Sequence, residues 1–406
     1  MTQETVIAAL EAAEPHRALA ELASGARFIE CPDLGSGRVV LPRYREVRQA
    51  LRSPAFVCAP TAAGMLATLP RSLRELLAPV ASWVLYSDAP QHPRIRTLLA
   101  KAFTARQVQE LNGDICRRAD ELVSAFVRDG GGDAVSGLAE PLPVHTICSL
   151  LGIPEADRAD VKAWSDDVVL VAEPALTPEQ EQRAASGWMH LAAYFEGLIA
   201  NRRSRGGDDI IAGLVAAEAQ GQRLTDEEVV SNCIALLVGG HETTSGLLSS
   251  VVLAASEHPE LLEAVQADAD AARGFVEEVL RLDGPSKITA RTAVEDTDLF
   301  GVEIKAGRRM VLLQASANRD PDVFDDAGTF QPMRRPNPHL GFGHGPHACF
   351  GAALARMQGV ALLRACAAGR GELAVERADI TWKPSQVIRS AAHLPVVLRA
   401  QAGGAS

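Results

Sequence analysis

The spacing of apolar residues predicts helices along most of the chain and confines strands to short runs. Apolar side chains recur at helical spacing in residues 5–25 and through most of residues 105–220. Strands are predicted where short runs rich in Val and Leu occur, at residues 39–41, 302–313 and 387–399. The pattern therefore predicts a mainly α-helical protein with small β-sheets.

Residues 224–259 carry the strongest helical signal. A capping box opens this stretch, with Thr225 as the N-cap residue and Glu228 three positions later. Pro259 ends the apolar pattern, so the predicted helix is about 48 Å long at about 1.5 Å per residue. A helix of this length is expected to cross the whole domain.

The centre of this predicted helix combines small residues with an acid and an alcohol. Gly239 and Gly240 each cost about 1 kcal/mol relative to Ala in a helix interior. A close helix crossing would explain these glycines, but not Glu242 and Thr243, which follow them. The zinc-protease pattern H-E-x-x-H is excluded, because Ser245 stands at the second His position.

Residues 57–84 mix prolines with large apolar residues and show no steady period. This composition predicts a long irregular loop. Such a loop is either an ordinary surface connection or, since long apolar loops often bind ligands, a binding loop.

Residues 339–356 contain the most informative cysteine. Glycines at alternate positions predict a tightly turning backbone that passes close to a flat group, and from Gly351 onward strong helix formers predict a helix. Cys349 therefore stands just before a helix N-terminus, where free N–H groups and the helix dipole stabilise a thiolate.

Three interpretations of Cys349 are open on the residues alone. It is a buried structural cysteine, since cysteine is among the most buried residue types. It is a zinc ligand together with histidines of the same loop, although the loop lacks a Cys-x-x-Cys half. Or it is the thiolate ligand of a haem iron. The histidines considered for zinc are His339, His344 and His347.

The spacing of Phe342, Gly345, Cys349 and Gly351 resembles the F-x-x-G-x-x-x-C-x-G signature of the cytochrome P-450 superfamily. Further segments resemble those of the family in the family's order. The resemblance implies a single cytochrome P-450 domain over residues 1–406. It also implies haem b (iron protoporphyrin IX) between the long central helix and the Cys-loop helix, with Cys349 as the axial ligand of the iron.

The resemblance assigns roles to residues across the chain. Residues 88–96 resemble the pattern D-x-P-x-H-x-x-x-R, in which the histidine and arginine bind a haem propionate. Residues 239–243 resemble the oxygen-binding groove [AG]-G-x-[DE]-T, although Gly239 stands where Ala is commoner. The implied cofactor-binding residues are His92, Arg96, Arg291, His347, Phe342, Gly351, Gly239 and Gly240, and the implied proton-delivery residues are Glu242 and Thr243.

Two further groups of residues follow from the resemblance. Glu278 and Arg281 match the family's E-x-x-R helix, and Arg334 is implied to complete a structural Glu-Arg-Arg network. The loop of residues 57–84 is implied to cover the substrate pocket. The residues implied to line that pocket are Lys287, Ile288, Leu236 and Ala391.

Lys287 stands where the family usually has an apolar residue that points into the pocket. One interpretation is that its side chain extends to water, because burial of an unpaired ammonium is costly. The other is that it faces the pocket and binds an acidic group of the substrate.

Composition indicates which cellular compartment and which classes of partner to expect. A net charge of −11 gives no indication of nucleic acid binding, and no apolar stretch is long enough to span a membrane. The seven cysteines show no paired spacing, so a cytoplasmic protein is expected. No flavin or iron-sulfur motif is present, so the electrons are expected from a ferredoxin and a ferredoxin reductase, and the protein is expected to be a monomer.

The function implied is that of a haem-thiolate monooxygenase, which inserts one oxygen atom from O2 into a small organic substrate. Two alternatives stay open. A peroxide-using peroxygenase usually has an altered acid-alcohol pair, whereas Glu242 and Thr243 are both present here. A non-catalytic haem sensor is the alternative from outside the enzymes.

Overall fold

Helices make up most of the backbone in this computed structural model, which describes residues 3–31, 38–67, 69–103, 105–172, 176–218, 221–369 and 372–399. The α-helices are α1 (Gln3–Glu11), α2 (His16–Ser24), α3 (Tyr44–Arg52), α4 (Ala59–Ala67), α5 (Arg71–Leu76), α6 (Gln91–Ala102), α7 (Ala105–Arg128), α8 (Pro141–Leu150), α9 (Arg158–Val169), α10 (Pro178–Arg205), α11 (Ile210–Ala216), α12 (Asp226–Glu257), α13 (Leu262–Ala267), α14 (Ala269–Asp283), α15 (Gln314–Ala317) and α16 (Ala352–Ala368). The mainly helical prediction is confirmed.

The strands are short and form small sheets. They are β1 (Ile29–Cys31), β2 (Arg38–Leu41), β3 (Phe56–Val57), β4 (Gly131–Asp133), β5 (Thr289–Ala293), β6 (Thr297–Leu299), β7 (Val302–Ile304), β8 (Arg309–Leu312), β9 (Glu372–Ala374), β10 (Thr381–Trp382), β11 (Ala391–His393) and β12 (Pro395–Arg399). One sheet contains the order β1-β2-β8-β5, with β2 parallel to β8. Strands β4, β12 and β9 form a second sheet, and β10-β11 and β6-β7 are two-stranded.

The chain divides into two compact units, which we describe separately. Unit 1 comprises Met1–Ala55, Asn112–Pro143 and Glu242–Ser406, and unit 2 comprises Phe56–Leu111 and Val144–His241. The core of unit 1 includes an apolar cluster in which residues of α1 and α2 pack with residues of β1 and β2. Within the described residues, none of the helices combines the length and the apolarity that a membrane crossing requires.

The capping box of α12 forms as predicted. The Glu228 N–H donates to Thr225 Oγ1 at 3.2 Å, and the Thr225 N–H donates to Glu228 Oε2 at 2.9 Å. The helix runs without interruption over 32 residues, including Gly239 and Gly240. Pro259 lies just beyond its end, in a 3-10 turn.

The prediction of a long irregular loop at residues 57–84 is wrong. Most of this stretch is helical, as α4, α5 and a 3-10 helix at Ala78–Ser82. Its prolines stand at helix starts, because a proline in the first turn removes an N–H that has no partner within the helix. Pro60 lies in the first turn of α4, Pro70 is the N-cap residue of α5, and Pro79 lies in the first turn of the 3-10 helix.

Candidate active site

Cys349 lies in unit 1, between a 3-10 turn at Gly345–His347 and the start of α16. Its side chain is exposed on the loop. The loop is held by its own backbone, since the Cys349 N–H donates to Phe342 O at 2.8 Å and the Ala348 N–H donates to Gly345 O at 3.0 Å. The fold therefore presents the thiol three residues before α16, as the sequence pattern predicts.

The tight turn predicted for this loop is confirmed, since φ is +69° at Gly343 and +76° at Gly345, and two of its glycines also pass close to protein backbone. A Cβ on Gly345 would lie 2.7 Å from Leu51 O, at the end of α3, and its φ is +76°. A Cβ on Gly341 would lie 2.9 Å from Leu280 O, in α14. These two glycines allow the loop to approach protein backbone.

The zinc interpretation of the loop finds no support in the geometry. His339 is occupied elsewhere, because its Nε2 binds Glu277 Oε2 at 2.9 Å and its Nδ1 accepts from the Gly341 N–H at 3.1 Å. Over the described ranges, Cys349 belongs to no group of three or more His, Cys, Asp or Glu ligand atoms within 4.8 Å of one another.

Basic side chains predicted to bind propionates occur in both units. In unit 1, Arg291 lies on β5 and is 5% exposed, and its Nη1 donates to Ala290 O at 2.8 Å. His347 is half-buried in the 3-10 turn before Cys349. In unit 2, His92 is buried and Arg96 half-buried, four residues apart on α6.

Asp88, which precedes His92 in the matched pattern, has a structural task in unit 2. Its carboxylate accepts the N–H groups of Cys58, at 2.9 Å and 3.0 Å, and of Ala59, at 2.6 Å. It thereby fixes the start of α4, while the His92 N–H bonds the Asp88 carbonyl oxygen at 2.8 Å.

The middle of α12 has one face that is less buried than the rest of the helix. Leu236 and Thr243 are half-buried and Gly239 is exposed, at helical spacing on one face. A Cβ on Gly239 would meet nothing within 4 Å, whereas a Cβ on Gly240 would lie 3.0 Å from the Ile147 side chain. Gly239 therefore opens this face, and Gly240 allows close packing on Ile147, which corrects the prediction that both glycines provide open space.

Glu242 has a partner that sequence reasoning missed. Its two carboxylate oxygens accept from Lys383 Nζ at 3.0 Å and 3.2 Å. Lys383 follows β10, its own N–H donates to Ser390 O at 3.0 Å, and its Nζ lies 3.6 Å from Glu140 Oε1. The side chains of Glu242 and Lys383 are 11% and 34% exposed, so the ammonium joins a buried carboxylate to the surface.

Glu278, Arg281 and Arg334 are brought together in unit 1. Arg281 donates to Glu278 at 2.7 Å and 2.9 Å, and Arg334 Nε donates to it at 3.1 Å. The Gln331 N–H and the Asn337 side chain each donate to Glu278 at 3.0 Å. Burial alone would raise the pKa of Glu278, but the hydrogen bond and charge of Arg281 outweigh it and lower that pKa.

The interpretation in which Lys287 extends to water is wrong. The residue is 7% exposed, so its side chain does not reach solvent freely. Its ammonium donates to Leu10 O at 2.6 Å and also to Ser385 O. Leu10 lies in the last turn of α1, where carbonyl oxygens lack helical partners and the dipole favours a cation.

The other residues implied to line the pocket differ in their surroundings. Ile288 packs against the apolar cluster of unit 1 formed with α1 and α2, which is a structural contact. Ala391 is 1% exposed at the start of β11. Leu236 lies on the less buried face of α12 and is half-buried, as Ile288 is.

The residues present fit a haem in their chemistry. An exposed thiol before a helix N-terminus is suited to a soft metal ion, and arginine and histidine side chains are suited to carboxylates. The open face at Gly239 is compatible with a ligand that needs room beside a helix.

Comparison with known proteins gives one consistent result. The profile of the cytochrome P450 family matches residues 174–366. The chain is 38% identical to cytochrome P450 monooxygenase PikC of Streptomyces venezuelae, with 80% of this chain and 78% of the relative covered. It is 34% identical to vitamin D(3) 25-hydroxylase of Pseudonocardia autotrophica, with 95% of this chain and 94% of the relative covered. P450BioI, solved with an acyl carrier protein ligated to hexadec-9Z-enoic acid, matches with a TM-score of 0.86 and 30% identity, over 95% of this chain and 99% of that chain.

Proposed function

Because the chain belongs to the cytochrome P450 family, we propose that Cys349 is the thiolate ligand of its haem iron. The protein is a haem-thiolate monooxygenase that inserts one oxygen atom from O2 into a small organic substrate, and haem b is its cofactor. When bound, the haem supplies the iron at which O2 is activated, and the thiolate favours O–O cleavage. The observation that carries the assignment of Cys349 is its exposed position just before α16.

The test of the ligand assignment is spectroscopic. The reduced carbon monoxide complex of the protein is expected to absorb at the position typical of a thiolate ligand, and Cys349→Ala is expected to abolish that band. Cys366→Ala is a matched control, because Cys366 is buried in α16 and burial raises its pKa to about 12. A normal band in Cys349→Ala would contradict the assignment.

Four basic residues are proposed to bind the haem propionates. Arg291 has its Nη1 tied to its own strand, which orients the guanidinium. Charge-assisted hydrogen bonds to carboxylates are the strongest that such groups make. The other residues proposed for this role are His92, Arg96 and His347, with Phe342 proposed to pack on the thiolate side.

Glu242 and Thr243 are proposed to deliver protons during O2 activation. The Glu242 side chain is 11% exposed, and it binds Lys383, whose side chain is 34% exposed. A proton therefore has a short route from water to this buried acid. General acids contribute about 10²–10⁴-fold to a rate. In Thr243→Ala, NADH consumption should continue while product falls and hydrogen peroxide rises, and unchanged coupling would exclude the role.

The electron donor is proposed to be a ferredoxin with its reductase. Basic residues close to Cys349 in the sequence are candidates to meet it, namely Arg334, Arg335, His344 and Arg356. The side chain of Arg334, however, is 7% exposed and binds Glu278, while Arg356 binds Glu277. An exposed row on α3 is better placed, because a Cβ on Gly345 of the cysteine loop would lie 3.2 Å from Arg52 Cα. The row comprises Arg45, Arg48 and Arg52.

The neighbouring His344 supports the proximity of this row to the cysteine loop. Burial lowers the pKa of His344, and the charges of Arg48 and Arg52 lower it further. Reduction by an acidic ferredoxin should slow as ionic strength rises, because salt screens such steering. Arg48→Gln with Arg52→Gln should weaken that dependence, whereas Arg17→Gln, at a side chain 90% exposed on α2, should not. A rate that is independent of salt in the wild type would contradict this docking.

A further inference from the structure

Glu277 adjoins Glu278 in sequence but binds a separate set of partners. Its carboxylate accepts from Arg356 Nε at 2.5 Å and from Arg356 Nη2 at 3.0 Å, which is a bidentate pair. It also binds His339 Nε2 at 2.9 Å. The three residues join α14 and α16 to the start of the cysteine loop, all within unit 1.

The hydrogen bonds of His339 identify its tautomer. The Gly341 N–H donates to Nδ1 at 3.1 Å, so Nδ1 carries a lone pair and no proton. Nε2 therefore carries the proton that is donated to Glu277. Glu277 and Arg356 carry opposite charges.

Arg356 also contacts the residue that holds the cysteine backbone. Its guanidinium carbon lies 4.4 Å from the centroid of the Phe342 ring, within the range of a cation–π contact. The carbonyl oxygen of Phe342 accepts the Cys349 N–H at 2.8 Å. The positive charge is thus fixed on a ring whose backbone is bonded to Cys349.

Both groups are charged at neutral pH and are partly screened from water. Burial alone would raise the pKa of Glu277, but hydrogen bonds from His339 and Arg356 outweigh it and lower that pKa to about 2. The side chains of Glu277 and Arg356 are 27% and 40% exposed. Charges in such a setting act over longer distances than charges in water do.

We propose that Glu277 and Arg356 form a compensating charge pair, in which each charge offsets the effect of the other on the reduction potential of the iron held by Cys349, with Arg356 fixed over Phe342. Reduction from the ferric to the ferrous state adds one electron from the external donor, so a nearby cation favours the ferrous state and a nearby anion opposes it. The pair keeps these two effects balanced. Both are positioning residues, and the proposal rests on Cys349 as the iron ligand.

The test is a potentiometric titration of the haem-loaded protein. Glu277→Gln leaves Arg356 uncompensated and is expected to raise the reduction potential, whereas Arg356→Met leaves Glu277 uncompensated and is expected to lower it. At a fixed ambient potential, the ferrous-to-ferric ratio should change at least about threefold in each direction, which is about 28 mV for a one-electron couple. The double variant should return close to the wild type.

A role in packing alone predicts a different pattern. Loss of packing would shift the reduction potentials of both single variants in the same direction, and the potential of the double variant would shift further still. Arg356→Lys separates the two roles, because it keeps the cation but loses the bidentate bond, so a charge role predicts a potential near that of the wild type. Equal shifts in Arg356→Lys and Arg356→Met, or no shift in either single variant, would overturn the proposal.

The carbon monoxide spectrum distinguishes this failure from failure of the ligand assignment. Each variant is titrated only where its reduced carbon monoxide complex shows the thiolate band. If the band survives in Cys349→Ala, the proposed ligand is wrong, whereas a normal band with unmoved potentials overturns the charge pair alone.

Discussion

Two carboxylates of unit 1, Glu278 and Glu242, are both buried and both paired with a basic residue, but they differ in the number of donors. Glu278 accepts from Arg281, Arg334, the Gln331 N–H and Asn337. The side chains of Glu278 and Arg281 are both 0% exposed. Any movement of this carboxylate would leave several buried donors unsatisfied, each at a cost of about 1–3 kcal/mol.

Among the residues that the structure describes, the hydrogen-bond donor to the Glu242 side chain is one ammonium group, that of Lys383. Lys383 binds both oxygens of this carboxylate, and the Lys383 side chain is 34% exposed. When Glu242 leaves Lys383, water can replace it as the partner of the ammonium. The difference shows why one buried acid serves as a fixed part of the frame, while another is suited to the exchange of protons.

The largest effect on the free energy of unfolding is expected for a change at Glu278. Glu278→Gln keeps the shape but leaves Arg281 without its ionic partner in a fully buried position. Loss of one member of a buried pair typically costs about 3–5 kcal/mol. Urea denaturation followed by circular dichroism should show this loss in the free energy of unfolding. Glu242→Gln makes the same chemical change and should cost less, and equal losses would remove the distinction between the two sites.

Glu277 provides an intermediate case, with two side-chain partners and 27% exposure. Its pKa of about 2 in the folded protein lies below the unfolded value, so its contribution to stability is present above about pH 4.3 and is lost as the pH falls toward 2. Between pH 7 and pH 3.5, the wild type should lose about 1 kcal/mol more than Glu277→Gln does. Urea midpoints at the two pH values measure this difference. An identical pH dependence in the two proteins would show that Glu277 is not ionised in the way described.

The smallest effect on stability is expected for the pair formed by Glu242 and Lys383. Lys383→Met should change the free energy of unfolding by less than about 1 kcal/mol, since a partly exposed ion pair contributes little. Product formed per NADH should nevertheless fall, because Glu242 loses the group that orients it, and Lys383→Arg should restore part of it. A large loss of stability in Lys383→Met would show that this pair stabilises the fold in the same way as the network around Glu278.

Local sequence signals predicted the features whose partners lie within a few residues. The capping box of Thr225 and Glu228, the end of α12 before Pro259, and the position of Cys349 before α16 are of this kind. Each depends on helix termini, whose requirements repeat in every protein.

Local sequence signals do not identify hydrogen-bond partners that are distant in sequence. Lys383 lies 141 residues from Glu242, and no local pattern indicates that the segment after β10 carries its partner. The cost of an unpaired ammonium predicts that Lys287 extends to water, whereas the fold supplies the carbonyl oxygen of Leu10 from 277 residues away. The prolines of residues 57–84 predict a loop, although proline is equally suited to helix starts.

The ammonium of Lys287 contacts two segments that are distant from it in sequence, so sequence changes in the three segments are expected to be correlated. It donates to backbone oxygens of Leu10 and Ser385, and these two contacts depend on main-chain positions rather than on the identity of side chains. Substitutions in α1 that keep the helix in place therefore leave the contact with Leu10 O intact. A deletion that shortens α1 would remove Leu10 O and favour an apolar residue at position 287. Changes in the length of the N-terminal segment and the identity of residue 287 are thus expected to arise together as such sequences diverge.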